Sequence, residues 1–301
     1  MKKALISLLL CICLILPLGA LGEIHPLPVD QSGGYPVSRD NMVGDFEYQD
    51  ESIHVIKHEN ERFKKASCFW VEIFIEDPTQ LRTAMTADRY DTRKYVPTKT
   101  LAKSKNSVLA INGDFFKYND YGYLVRQGVT YRDFDLVDSE HDLLIIDENS
   151  DFHLVQNPTP DSARAAVEQL EAEGHQVINT FNFGPTLVLD GQALEDINTS
   201  LYQGRYKMMR LAIGQLGEKH YAVYFCYGTT DGKEGLSLPN FAEYIASVTP
   251  EVKIAFNLDG GGSTHVVLLQ TQLHKNPSGR DICDILYFCS ASDQLGEERA
   301  K

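Results

Sequence analysis

The chain has 301 residues, 43% of them apolar with only 12 prolines, enough to bury one large core, and it carries a formal net charge of −14. So acidic a chain repels nucleic acid and anionic lipid, which excludes a general polyanion binder; a phosphate ester must then be recognised by a few local donors or a bound cation. No run beyond the N-terminus approaches the roughly 18 apolar residues of a membrane span.

The chain opens with Lys2 and Lys3, an unbroken apolar run from Ala4 to Leu16, then Pro17 and the small-residue stretch Leu18-Gly19-Ala20-Leu21-Gly22. This pattern predicts a signal peptide over 1–22, a mature N-terminus near Glu23, and a secreted, extracytoplasmic product with no stable membrane insertion. Cys11 and Cys13 follow Leu10 and Ile12, not the small residue that lipid attachment needs. Four cysteines remain beyond the leader: Cys68, Cys226, Cys283 and Cys289. Cys283 and Cys289 share one strand-like run, which puts them about 20 Å apart and beyond bridging distance. Other pairings stay open beside the alternative of four buried thiols, and the spacings do not suggest a zinc site.

Residues 23–51, with Pro26, Pro28, Gly33, Gly34 and Pro36, read as an extended N-terminal segment; the domain runs over 52–292, and 293–301 is a polar tail. Short apolar runs bounded by turn residues predict strands at 68–75, 108–111, 142–147, 186–189, 211–214, 221–227, 253–257, 265–269 and 282–288. His54 and His58 are spaced like metal ligands on a helix, but their segment alternates like a strand, which separates them. Helices are predicted from Asp161 as N-cap to Gly174, from Pro239 to just before Pro250, and over 98–105. Together these elements describe an α+β single domain with a large mixed β-sheet core and a few flanking helices.

Three segments carry candidate chemistry. Asn257-Leu258-Asp259-Gly260-Gly261-Gly262-Ser263 lies between two predicted strands, and its three glycines allow backbone amides to converge on an oxyanion. It lacks the lysine of a P-loop, and Ser263 lacks the following glycine of a nucleophile elbow. Asn112-Gly113-Asp114 ends a buried-looking strand, which places an amide and a carboxylate at a sheet rim. Arg210 heads an apolar strand, where a planar fork of donors suits phosphate. Asn276 and Arg280, in Asn276-Pro277-Ser278-Gly279-Arg280, offer another amide and cation before the last strand.

The order and wording of these segments resemble the phosphodiester glycosidase family. The matching pieces are Asn112-Gly113-Asp114-Phe115-Phe116, Phe183-Gly184-Pro185-Thr186 through Asp190-Gly191, Arg210 with Ala212-Ile213-Gly214, Gly235-Leu236-Ser237-Leu238, Ala255 to Ser263, and Asn276-Pro277-Ser278 with Arg280, spread over roughly 95–290. Two pieces depart from it: Met209 and Leu211 flank Arg210 in place of Pro and Thr, and Tyr227-Gly228-Thr229 stands where the family has Asp-Gly-Arg. The resemblance implies a hydrolase that cuts the bond between a sugar's anomeric carbon and a phosphate, on an N-acetylhexosamine-containing cell-surface polymer or exopolysaccharide. The alternative is a secreted glycan-binding module that has kept the fold and lost turnover. The enzyme reading assigns Asp259 and Asp114 to the carboxylate work, Arg210 to the phosphate, and Asn112, Gly113, Asn257, Gly260, Gly261, Gly262, Ser263, Asn276 and Arg280 to substrate binding. No cofactor or metal ligand is assigned, and a bound divalent cation such as calcium stays open.

Overall fold

The apolar runs are strands buried on both faces, which is why they read as nearly continuous hydrophobic stretches. In β14 (His220–Cys226), Tyr221, Val223 and Phe225 face one core while Ala222, Tyr224 and Cys226 face another. The computed structural model describes residues 23–59, 62–228 and 234–293; the expected leader over 1–22, most of the expected tail and Thr229 lie outside them.

An eight-stranded sheet orders β1 (Glu47–Gln49), β2 (Ile53–Glu59), β3 (Cys68–Ile75), β14, β13 (Arg210–Gly217), β15 (Ile254–Leu258), β11 (Thr186–Leu189) and β12 (Gln192–Ala193). A five-stranded sheet orders β17 (Thr271–Gln272), β16 (Val266–Leu268), β5 (Ser107–Asn112), β18 (Asp284–Cys289) and β4 (Leu81–Met85). These two pack face to face over the main core, where Val71, Ile73, Ile213 and Val223 meet Leu109, Ile111, Leu286 and Phe288. A small sheet of β10 (Val177–Phe181), β8 (Leu143–Asp147) and β9 (Phe152–Val155), and a hairpin of β6 (Leu124–Arg126) and β7 (Val129–Arg132), complete the strands. All of these pairings are antiparallel.

Each outer face has its own helix. α1 (Thr98–Ser104) covers the five-stranded sheet with Leu101 and Ala102, and α3 (Leu238–Val248) covers the large sheet with Phe241, Ala242 and Ile245. α2 (Pro160–Ala172) lays Ala163, Val167 and Leu170 on the small sheet. Its N-cap is Thr159, two residues before the expected Asp161, because a reciprocal bond with Ser162 and a proline at the first position start the helix there. Gly174 follows its end at φ 95°, a conformation suited to glycine. The segment 23–51 is more than a connection: Leu27 enters the core beside α1, and β1 adds an edge to the large sheet. All four cysteines among the described residues are buried and free, with Cys68 opposite Cys226 across β3 and β14. His54 and His58 each meet a carboxylate, Glu47 and Glu72, at 2.8 Å.

Candidate active site

Four strand ends, two from each main sheet, meet at one rim. Antiparallel pairing places the end of β5 beside the start of β18, with Asn112 opposite Ile285, and the start of β13 beside the end of β15, with Leu211 opposite Leu258. The glycine loop leaves β15 at this rim. Asn112 pins it there by donating to the Asp259 carbonyl at 2.9 Å and accepting from the His265 amide at 2.9 Å. Its side chain is thus committed to backbone, so the expected contact of Asn112 with sugar is replaced by a framework role.

Behind the rim lies a buried charge cluster. Arg126 donates from Nη2 to Asp114 at 2.8 Å and to Asp284 at 3.2 Å, and from Nη1 to the Val125 and Thr180 carbonyls. Its guanidinium carbon sits 4.4 Å from the centre of the Phe181 ring. Burial raises the Asp284 carboxyl above its usual range, with Arg126 pulling the other way and Asp114 adding to the rise. The second Asp114 oxygen accepts from the Asn182 amide at 3.2 Å. Gly113 is required by this cluster: a Cβ there would lie 2.1 Å from an Asp284 oxygen. Asp114, expected to share the carboxylate chemistry, is instead tied to Arg126 and Asn182 and buried behind the cleft.

In front opens a cleft of about 420 Å³ walled by Phe115, Phe183, Tyr202, Asn257, Asp259 and Arg280. Phe183 and Tyr202 stack with ring centres 3.7 Å apart, and Tyr202 shares a hydrogen bond with Tyr121. Asp259 is only 8% exposed, yet its Oδ2 has no hydrogen-bond partner; neither has Oδ1 of Asn257, whose amide nitrogen donates to the Gly184 carbonyl at 2.7 Å. A buried polar atom left unpaired costs about 1–3 kcal/mol. Both residues line this cleft, which suits a ligand that satisfies both. Burial pushes the Asp259 carboxyl up to about 6, against the pull of Ser263 and Arg280.

The cation at this carboxylate is Arg280, with Nη2 3.6 Å from Asp259 Oδ2 and Nε donating to Ser263 Oγ at 2.8 Å. Arg210 also borders the cleft, but its fork donates to four carbonyls, those of Leu236, Tyr202, Gln203 and Tyr206, at 2.9–3.2 Å. Four of the five N–H groups of the expected phosphate clamp at Arg210 are thus engaged, and this guanidinium holds the wall that carries Tyr202. Burial without a carboxylate partner lowers its pKa to about 10.

The glycine loop is shaped by packing as much as by anion binding. Gly261, at φ 56°, donates its amide to the Met209 carbonyl at 3.0 Å, and so is lost to the expected anion nest. A Cβ on Gly260 would lie 2.8 Å from that same carbonyl, and one on Gly262 would lie 2.9 Å from the Ser278 carbonyl. Asn276 holds the turn by donating to the Gly261, Gly262 and Thr264 carbonyls, which leaves it no amide hydrogen for substrate. Of the expected residues, Arg210, Asn257, Asp259 and Arg280 line the cleft with side chains, and Gly260, Gly261 and Gly262 line it with backbone. Sequence reasoning missed Arg126, Asp284, Phe183 and Tyr202. A lone acid inside the apolar run 282–288 was the available sign for Asp284.

A solved structure shares this fold. A structure from zebrafish, the catalytic domain of N-acetylglucosamine-1-phosphodiester alpha-N-acetylglucosaminidase auto-inhibited by its pro-peptide, superposes with a TM-score of 0.59 at 16% identity, over 85% of this chain and 87% of that one. A hypothetical protein from Synechocystis superposes at 0.49 with 15% identity, over 79% of this chain and 62% of the other. Comparison with curated proteins gives no match. The family model for phosphodiester glycosidases matches residues 105–289, more than half of the chain. The chain belongs to the phosphodiester glycosidase family.

Proposed function

We propose that this protein is an exported hydrolase that cleaves the bond between the anomeric carbon of a sugar and a bridging phosphate. The single observation that carries the reading is the buried Oδ2 of Asp259, which accepts no hydrogen bond, in the wall of an aromatic-lined cleft beside the Arg280 guanidinium. In a sugar-1-phosphodiester the leaving group is a phosphate monoester, which departs as an anion and needs no proton from a general acid. The cleft must then supply a carboxylate at the anomeric carbon, a cation at the departing phosphate and a surface for the sugar ring. Asp259, Arg280 and the Phe183–Tyr202 stack fill these roles, with Asn257 Oδ1 accepting from a sugar hydroxyl or acetamido N–H.

In the overall reaction the C1–O bond breaks and its electron pair leaves with the phosphate. Water supplies hydroxyl to C1, and its proton passes to solvent by way of Asp259. The configuration of the released sugar distinguishes attack by Asp259 on C1, with retention, from proton removal from water, with inversion. The zebrafish protein's name supports an N-acetylhexosamine as the sugar, and the N-terminal Lys-Lys and apolar run support export toward cell-surface glycans.

The test is to incubate the mature protein with sugar-1-phosphodiesters and identify the products. Free sugar plus a phosphomonoester supports the reading, and sugar-1-phosphate overturns it. Binding without turnover supports the secreted glycan-binding module instead, a reading the missing Asp-Gly-Arg piece keeps in view.

A further inference from the structure

At the opposite end of β8 from the cleft, four side chains from three elements converge. Asp142, just before β8, accepts from Thr186 on the cleft side. Asp147 ends the strand, about 17 Å further along at 3.3–3.4 Å per residue. Asp147 Oδ2 lies 2.9 Å from His153 Nε2 and 3.4 Å from His175 Nδ1, and Glu148 Oε1 lies 3.1 Å from that same His175 nitrogen. The ligand-type atoms of Asp147, Glu148 and His175 all lie within 4.8 Å of one another.

We propose that Asp147, Glu148 and His175, joined by His153, bind a first-row divalent cation of the zinc class and so fasten the turn after α2 to the small sheet. Tetrahedral zinc with bonds of about 2.0–2.1 Å sets its ligands about 3.4 Å apart, near the 3.4 and 3.1 Å that already separate His175 Nδ1 from the two carboxylates, whereas His153, 2.9 Å from Asp147, lies outside the mutually close group and must turn toward the ion. Two imidazoles among the donors favour zinc over calcium, which prefers a shell of oxygens. The carboxylates are oriented in advance. Asp147 Oδ1 accepts from the Asn149 and Asp151 amides, both at 2.9 Å, which turns Oδ2 toward the rings. Glu148 Oε2 accepts from the Gln176 amide at 2.6 Å, which frees Oε1. Asp147 is buried, while His153, His175 and Glu148 are each about a third exposed, so the site is reachable from solvent without unfolding. A single His175 N–H cannot bond both carboxylates and the Asn149 amide at 3.4 Å; a cation with several coordination positions uses these convergent groups together.

The test is calorimetric titration of the tag-free, chelator-treated mature protein with zinc alone at neutral pH. The expected result is one site of micromolar affinity or tighter, with a higher thermal midpoint when zinc is present. His175→Ala and His153→Ala should each weaken the affinity about 10–100-fold, and zinc should raise the thermal midpoint of each variant less than that of the parent. His54→Ala, on the other sheet, should bind zinc as the parent does. Undiminished zinc affinity in the His153→Ala, His175→Ala double variant overturns the proposal, as does a parent that takes up no zinc or that binds calcium in preference. Hydrolysis in the cleft should be the same with and without zinc, so this site stands or falls separately from the proposed reaction.

Discussion

The cleft and the cluster behind it use the same residue types for opposite ends. In the cluster, Arg126 is fully buried and bridges Asp114 and Asp284, so one cation is shared by two buried carboxyl groups inside the fold. In the cleft, Asp259 keeps an oxygen free of hydrogen bonds, and the Arg280 that pairs with it at 3.6 Å has a side chain 53% exposed. A charge satisfied inside the fold builds the frame; a charge kept short of partners is the one that can act on a substrate. The contrast also separates Arg210 from Arg280, since one fork is consumed by carbonyls and the other faces solvent and Asp259.

The comparison breaks first at Asp259. Asp259→Asn should lower kcat on the order of 10³–10⁴-fold, as loss of a catalytic carboxylate does in other hydrolases. The same variant should be more stable than the parent at neutral pH, by up to about 3 kcal/mol in denaturant titration. The sign follows from a carboxyl raised from 3.8 to about 6 in the fold. Between those values the folded protein binds the extra proton, so ionisation of Asp259 destabilises the fold as pH rises through 6. The advantage of the asparagine should therefore be full above pH 6 and fade as pH falls toward 3.8. Lower stability of Asp259→Asn at neutral pH would place this residue with the frame.

Arg126→Met should act in the opposite sense, destabilising by about 3–5 kcal/mol because two buried carboxylates lose their shared cation. Unfolding within about 1 kcal/mol of the parent would dissolve the distinction between frame and cleft. Arg210→Lys should come next, at about 2–3 kcal/mol of stability, since an ammonium cannot span four carbonyls. Competitive inhibition by a phosphomonoester should survive in this variant if it is still folded. Arg280→Lys should show the reverse: a thermal midpoint close to the parent's and phosphomonoester inhibition weakened about tenfold. The smallest effect is the pH profile, in which kcat/KM should rise through about pH 6 as Asp259 ionises.

Much of the frame was legible in the sequence because strands buried on both faces leave long apolar runs, and β3, β13, β14 and β18 all do. Strands Leu81–Met85 and Val177–Phe181 escaped notice because Arg82, Thr83, Asn179 and Thr180 interrupt their apolar pattern. These polar residues are buried, and Thr83 and Asn179 are matched across the fold by a 2.6 Å bond. The site was legible as a set of segments, since Asn112, Asp259 and Arg280 do converge, but not as a division of labour. Whether Arg210 turns to the cleft or to carbonyls depends on the path of residues 202–206, which pattern does not encode. Arg126 gave no sign because its partners lie 12 and 158 positions away. The Asp147–His175 cluster was hidden for the same reason, its members spread over a strand end, a neighbouring strand and a turn.

The central claim is that Asp259 acts at the anomeric carbon and leaves the phosphorus untouched. Hydrolysis of a sugar-1-phosphodiester in ¹⁸O-labelled water tests it most directly, with the phosphomonoester product weighed by mass spectrometry. Cleavage of the C1–O bond predicts a phosphomonoester free of label and a sugar that carries it. Label in the phosphomonoester would show that the P–O bond breaks and would contradict the role assigned to Asp259.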